Sequence, residues 1–141
     1  MEDEKIRVLI ADDQEFQAVG LKYLLSYSKE ISVVGICTTT QKTIEMVNNL
    51  LPDLIMLDLR WNDNVEPGFG LIRDIHELYP QVAIMVMTHH REYLNETRQA
   101  GSDMSFDKGQ LSNTESIVNL IKDTLHAHRM NQLRVPPVHS D

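Results

Sequence analysis

The chain has 141 residues, 42% hydrophobic and 24% charged. That is the make-up of one globular domain with room for a real core, since ~150 residues bury roughly two-thirds of the surface they expose when unfolded. Thirteen basic against 21 acidic side chains give a net charge of −8, which argues against direct binding of a nucleic-acid backbone. No apolar stretch approaches the ~18 residues of a membrane span, Met1-Glu2-Asp3-Glu4-Lys5 is acidic where a leader is basic, and the lone Cys37 excludes an internal disulfide; the expectation is a cytoplasmic domain.

Ile6–Ala11 is apolar and β-branched, a first strand ending at Asp12-Asp13. Phe16, Val19, Gly20, Tyr23, Leu24 and Tyr27 recur at i, i+3, i+4, i+7, i+8 and i+11, predicting an amphipathic helix with that stripe inward. Ile31–Ile36 is a second strand, and Thr40 is the expected N-cap of a helix carrying Ile44, Val47, Asn48 and Leu51. After Pro52, residues 53–58 end in Leu54-Ile55-Met56-Leu57-Asp58, a continuous apolar run of the kind buried on both faces of a parallel sheet.

A polar loop from Arg60 to Pro67 precedes a helix with Leu71, Ile72, Ile75 and Leu78, which Pro80 stops. Val82–Met87 is a fourth buried strand, ending at Thr88. His90–Gln99 is a short, mostly polar helix closed by Ala100-Gly101, and Asp103–Asp107 a fifth strand that delivers Lys108. Ser112 and Glu115 have capping-box spacing and open a helix with Ile117, Leu120, Ile121 and Leu125 on one face. From about Arg129 the pattern dissolves, and Pro136-Pro137 marks a tail or linker. The expected division is a domain at 1–128 and a tail at 129–141.

Five β-α alternations imply parallel strands, right-handed crossovers and helices on both faces. The fold class is therefore α/β, a doubly wound flavodoxin-like (βα)5 sheet of order 2-1-3-4-5 in a single domain. That order sets Asp12 and Asp13 beside Asp58 at the carboxyl edge of the sheet, where ligands bind in such folds. Three gathered carboxylates repel one another unless a cation neutralises them. A hard dication with oxygen ligands, Mg2+, suits them and leaves coordination for phosphate oxygens. Asp58 is then placed as a nucleophile on a phosphoryl group, with Lys108 and Thr88 as cation and hydroxyl donor for its oxygens.

In these residues the chain resembles the receiver domains of two-component response regulators, over roughly residues 5–128. The matches are Asp12-Asp13 for the metal-binding pair, Asp58 for the phospho-acceptor, Thr88 for the switch hydroxyl and Lys108 for the lysine. The resemblance implies a further metal ligand, the backbone carbonyl of Arg60. Ile10-Ala11-Asp12-Asp13 and Lys108-Gly109 resemble NarL- and RcsB-type receivers in particular. It also implies a sensor histidine kinase or phosphotransfer protein as donor. A downstream partner or homodimer would be engaged through the fourth helix, fifth strand and fifth helix (the α4-β5-α5 face), including Arg91, Tyr93 and Arg98.

The sequence departs from the family at Ser105, where an aromatic is usual three residues before the lysine; Phe106, one later, belongs to the opposite strand face. Gly109 stands where proline is common, and the loop from Arg60 to Gly68 is about two residues long for the family. Within it Trp61 is either a cover over apolar surface or a lid. Two other functions compete. A haloacid-dehalogenase-type phosphatase would need its nucleophile after the first strand and a second Asp two residues on, where this chain has Arg60. A phosphorylation-independent pseudo-receiver fits Ser105 but not the intact acidic set. The chain can also be the receiver half of a NarL-type DNA-binding regulator.

Overall fold

The computed structural model describes residues 4–134. Five strands, β1 (Ile6–Ala11), β2 (Ile31–Cys37), β3 (Leu54–Asp58), β4 (Ala83–Thr88) and β5 (Met104–Asp107), form one sheet of order β2-β1-β3-β4-β5. All neighbours are parallel, with Ala11 opposite Leu57 and Thr88 opposite Asp107. The register brings the carboxyl ends of β1, β3, β4 and β5 to one rim, as the alternation predicts. The helices are α1 (Glu15–Leu25), α2 (Thr40–Leu50), α3 (Glu66–Leu78), α4 (Leu94–Ala100) and α5 (Thr114–Arg134).

Every residue of β3 and β4 is buried, and strand alternation divides them between two cores. Leu54, Met56, Met85 and Met87 pack with Ala18, Leu25, Ile117 and Ile121 of α1 and α5. Ile55, Leu57, Ile84 and Val86 pack on the other face with Val47, Ile72 and Ile75 of α2 and α3. Burying one such aliphatic side chain is worth ~1.5–3 kcal/mol, so these two central strands anchor the positions of Asp58 and Thr88 at their ends.

Several local expectations are corrected. Most of the stripe assigned inward on α1 faces solvent: Phe16, Val19, Gly20, Tyr23 and Tyr27 are exposed, Leu24 is half-buried against the core as expected, and Ala18 and Leu25 are the buried residues. The N-cap of α2 is Thr39, whose side chain accepts from Lys42 N–H at 3.1 Å. For α5 the cap is Asn113, whose Oδ1 accepts from Ser116 N–H at 2.9 Å, one residue along from the anticipated Ser112 and Glu115. The fourth helix is preceded by a 3-10 turn at Arg91–Tyr93 and closes on Gly101 at φ 125. The last helix runs on to Arg134, past the expected break at Arg129; Pro136-Pro137 and the acidic start Met1-Glu2-Asp3 lie outside the described residues. Among those residues no helix is long and apolar enough to cross a membrane.

Candidate functional site: an acidic rim around Asp58

Asp58 is the last residue of β3 and only 6% exposed; Asp12, directly after β1, is 1% exposed. Backbone contacts fix both approaches. Asp12 N–H donates to the Cys37 carbonyl at 3.0 Å, and Asp12 Oδ1 accepts from Gln14 N–H at 2.9 Å. Asp13 Oδ2 accepts from Asn62 N–H at 3.0 Å, tying the β1–α1 turn to the loop after β3. One carboxylate oxygen from each of Asp12, Asp13 and Asp58 lies within 4.8 Å of the others.

Lys108, supplied by the end of β5, reaches into this group. Its Nζ is 3.0 Å from Asp58 Oδ1 and 3.4 Å from Asp12 Oδ2, and it donates to Gln17 Oε1 at 2.8 Å. One ammonium does not balance three carboxylates. Burial pushes the Asp58 carboxyl up from 3.8 to about 6; Lys108 pulls it down, while Asp12 and Asp13 push it further up. Thr88, 1% exposed at the end of β4, accepts from His90 N–H at 3.0 Å. Asp58, Thr88 and Lys108 line one cavity of about 180 Å³ together with Gln17, Arg60 and His90.

The loop after β3 is fastened by its own chemistry. Asn62 and Asp63 take positive φ, 52 and 64, a conformation that short polar side chains tolerate best. The turn is closed by Trp61 and Asn64, which exchange backbone hydrogen bonds at 2.8 and 3.0 Å. Trp61 is 2% exposed and its Nε1–H donates to the Asp58 carbonyl at 2.7 Å. It is a core side chain that props the end of β3, not a lid. Gly68 is required by a close approach: a Cβ there would lie 1.9 Å from the Leu59 carbonyl oxygen.

All the carboxylates, the lysine and the threonine expected at the site are brought together. Sequence reasoning missed Gln17, although its place four residues after Asp13 on the first turns of α1 puts it over the rim. It also missed the Arg60 side chain and His90. Ser105 makes no contact with the rim; its hydroxyl is 3.1 Å from Ser102 Oγ and bonded to Thr97 Oγ1 of α4. Phe106 is buried on the α1–α5 side of the sheet, as strand alternation requires. Among the described residues the histidines join no metal-binding cluster, and His128 pairs with Asp103 at 3.0 Å.

The response regulator receiver domain matches residues 8–122 of the chain. The chain belongs to that family. It is 36% identical over 95 residues to the protein-glutamate methylesterase/protein-glutamine glutaminase of Symbiobacterium thermophilum, which covers 67% of this chain and 26% of that protein. It is 33% identical over 85 residues to the response regulator protein VraR of Staphylococcus aureus, covering 59% of this chain and 39% of VraR. The receiver thus spans well under half the length of these relatives. Its fold is that of the NarL signal receiver domain from Mycobacterium tuberculosis (TM-score 0.78, 23% identity, 88% of this chain and 98% of that one). It is also that of the isolated RcsB receiver from Salmonella enterica (TM-score 0.69, 22% identity, 84% and 85%). The chain is a receiver domain of two-component systems.

Proposed function

We propose that Asp58 accepts a phosphoryl group from a sensor histidine kinase, a phosphotransfer protein or a small phosphodonor. The observation that carries this is the buried Asp58 carboxylate with Lys108 Nζ at 3.0 Å and two further carboxylates beside it. Three hard oxygen donors within 4.8 Å of one another and a single ammonium fit a small dication. Asp12, Asp13, Asp58 and the backbone carbonyl of Arg60 would hold Mg2+, which when bound neutralises charge on the phosphoryl oxygens.

Asp58 attacks phosphorus in line. The new bond is from its carboxylate oxygen to phosphorus, and the bond from phosphorus to the donor's nitrogen or oxygen breaks with its electron pair leaving on the donor. Lys108 and the Thr88 hydroxyl bind the transferred oxygens. The group is later lost to water as inorganic phosphate, so the chain is a phosphorylated switch rather than an enzyme with an external substrate. The modification changes how the α4-β5-α5 face, with Arg91, Tyr93 and Arg98, meets a downstream protein or a second copy. We place the receiver in the cytoplasm, without direct nucleic-acid or membrane binding.

Two other readings each have one observation in their favour. The chain's span of 39% of VraR suits the receiver half of a NarL-type DNA-binding regulator. The hydroxyl-filled joint at Ser105 suits a pseudo-receiver. Intact mass after incubation with Mg2+ and acetyl phosphate tests the main reading. We expect a metal-dependent gain of one phosphoryl group in the wild type and none in Asp58→Asn; no gain with a range of donors overturns it for the pseudo-receiver.

A further inference from the structure

Ser105 sits on β5 facing α4, and short hydroxyl side chains close that joint: Thr97 is fully buried and shares its hydroxyl between Ser105 and the Leu94 carbonyl. Neither Ser105 nor Thr97 lines the acceptor cavity. The contact between the cavity and the start of α4 lies elsewhere. Arg60, two residues after Asp58, lines the cavity and donates from Nη1 to His90 Nε2 at 2.7 Å and from Nη2 to the Asp63 carbonyl at 2.9 Å. A guanidinium only donates, so Nε2 accepts and the ring proton is on Nδ1, 3.3 Å from Glu92 Oε1. The His90 ring stands edge-on to Tyr93, with centroids 6.3 Å apart, and Tyr93 meets Phe69 of α3 at 6.0 Å. Tyr93 ends the 3-10 turn that leads straight into α4.

One group in this chain of contacts is unmatched. Arg60 Nε–H is sealed from solvent and has no acceptor, alone among the buried side-chain polar atoms of the described residues. Leaving a charged donor so is costly. Because Arg60 lines the same cavity as Asp58, the unmatched donor points to an acceptor that arrives with the modification.

We propose that the Arg60 guanidinium passes from His90 to the phosphoryl group on Asp58. That exchange, rather than an aromatic on β5, carries the modification to the start of α4. The inference rests on the phosphorylation of Asp58 proposed above. A phosphoryl brings charge and three acceptor oxygens into the cavity, and charge-assisted bonds to it are about twice as strong as one to a neutral imidazole. The two states therefore differ in the partner of Arg60, which is the differential interaction a population shift needs. Losing Arg60, His90 keeps its contacts to Glu92 and Tyr93 but no longer ties the Arg91–Tyr93 turn to the loop after β3.

The test follows backbone amide resonances of the whole chain with Mg2+ and beryllofluoride as the phosphoryl probe. In the wild type, signals of residues 91–100 move together with those around Asp58. Arg60→Ala is expected to bind the probe roughly ten-fold more weakly, with the free spectrum of 91–100 already shifted toward the bound one and no further response. Arg60→Gln serves the same comparison should the alanine variant not fold. Ser105→Ala is expected to respond like the wild type. A full wild-type response of 91–100 in saturated Arg60→Ala, or its loss in Ser105→Ala, overturns the inference while leaving the acceptor site intact. Failure of the wild type to take the probe at Asp58 overturns the reading of the site itself, and this inference with it.

Discussion

Asp58→Asn should stabilise the metal-free fold, and by an amount that depends on pH. The native carboxyl sits at about 6 against an ordinary 3.8, mainly because it is buried, so folding favours its protonated form. With the native value raised, the wild type is relatively most stable below ~4, and loses that advantage as pH rises through about 6. The rise from 3.8 to about 6 corresponds to ~3 kcal/mol above pH 7. Asparagine matches the protonated carboxyl in shape and does not titrate. In chelator, the two proteins should therefore unfold at similar urea concentrations near pH 4. Near pH 8 the variant should be ahead by ~1.5 M, for a slope of ~2 kcal/mol/M. Mg2+ should close part of that gap at pH 8 by binding the wild type preferentially. A gap that stays flat between pH 4 and pH 8, or one in favour of the wild type at the alkaline end, would refute the argument that uncompensated burial dominates at Asp58.

Removing Lys108 deletes the one contact that lowers Asp58. In Lys108→Met the Asp58 carboxyl should titrate higher still, read by carbon NMR of the side chain, and a midpoint below that of the wild type would contradict the assigned balance. Gly68→Ala should cost more than ~3 kcal/mol, because its Cβ would meet the Leu59 carbonyl oxygen at 1.9 Å and that oxygen belongs to a backbone that cannot give way. Thermal unfolding measures it, and a loss under ~1 kcal/mol would mean that the loop after β3 is freer than its hydrogen bonds indicate.

The sheet was legible because burial on two faces leaves a plain mark: Leu54–Leu57 and Ala83–Met87 have no polar position, and each ends in a polar group that the topology must place on the rim. Periodicity is less informative on α1, which carries two apolar stripes. The reading from spacing took the more aromatic one, and spacing does not say which turns inward. The small Ala18 with Leu25 lies against the sheet, while Tyr23 and Tyr27 meet each other at the surface, hydroxyls 2.6 Å apart. The cap of α5 was misjudged by one residue because Ser112, Asn113 and Thr114 are all capping types, and only the reciprocal bond with Ser116 distinguishes Asn113. At the site, strand ends declared the residues that β3, β4 and β5 deliver. Loop side chains were not legible in that way: Arg60 is fastened to a turn whose positive φ values at Asn62 and Asp63 follow no repeat, and His90 lies in the loop after β4.

What connects stability to function here is that Asp58 is poorly placed as a resting anion. A strand buried on both faces holds it at 6% exposure beside two other carboxylates, and Lys108 offsets only part of that. Positive charge added to the rim relieves that conflict, so binding a cation would draw on the free energy held in the repelling carboxylates. Arg60 carries the opposite defect, a guanidinium donor with no acceptor, within the same cavity. The phosphoryl group proposed for Asp58 would supply acceptors to that cation, while its own charge would add to the need for a dication that the three carboxylates already create. Local rules broken in complementary ways at one place mark a functional site rather than a flaw in the fold, and they explain why an uncompensated acid persists at the rim of an otherwise well-satisfied core.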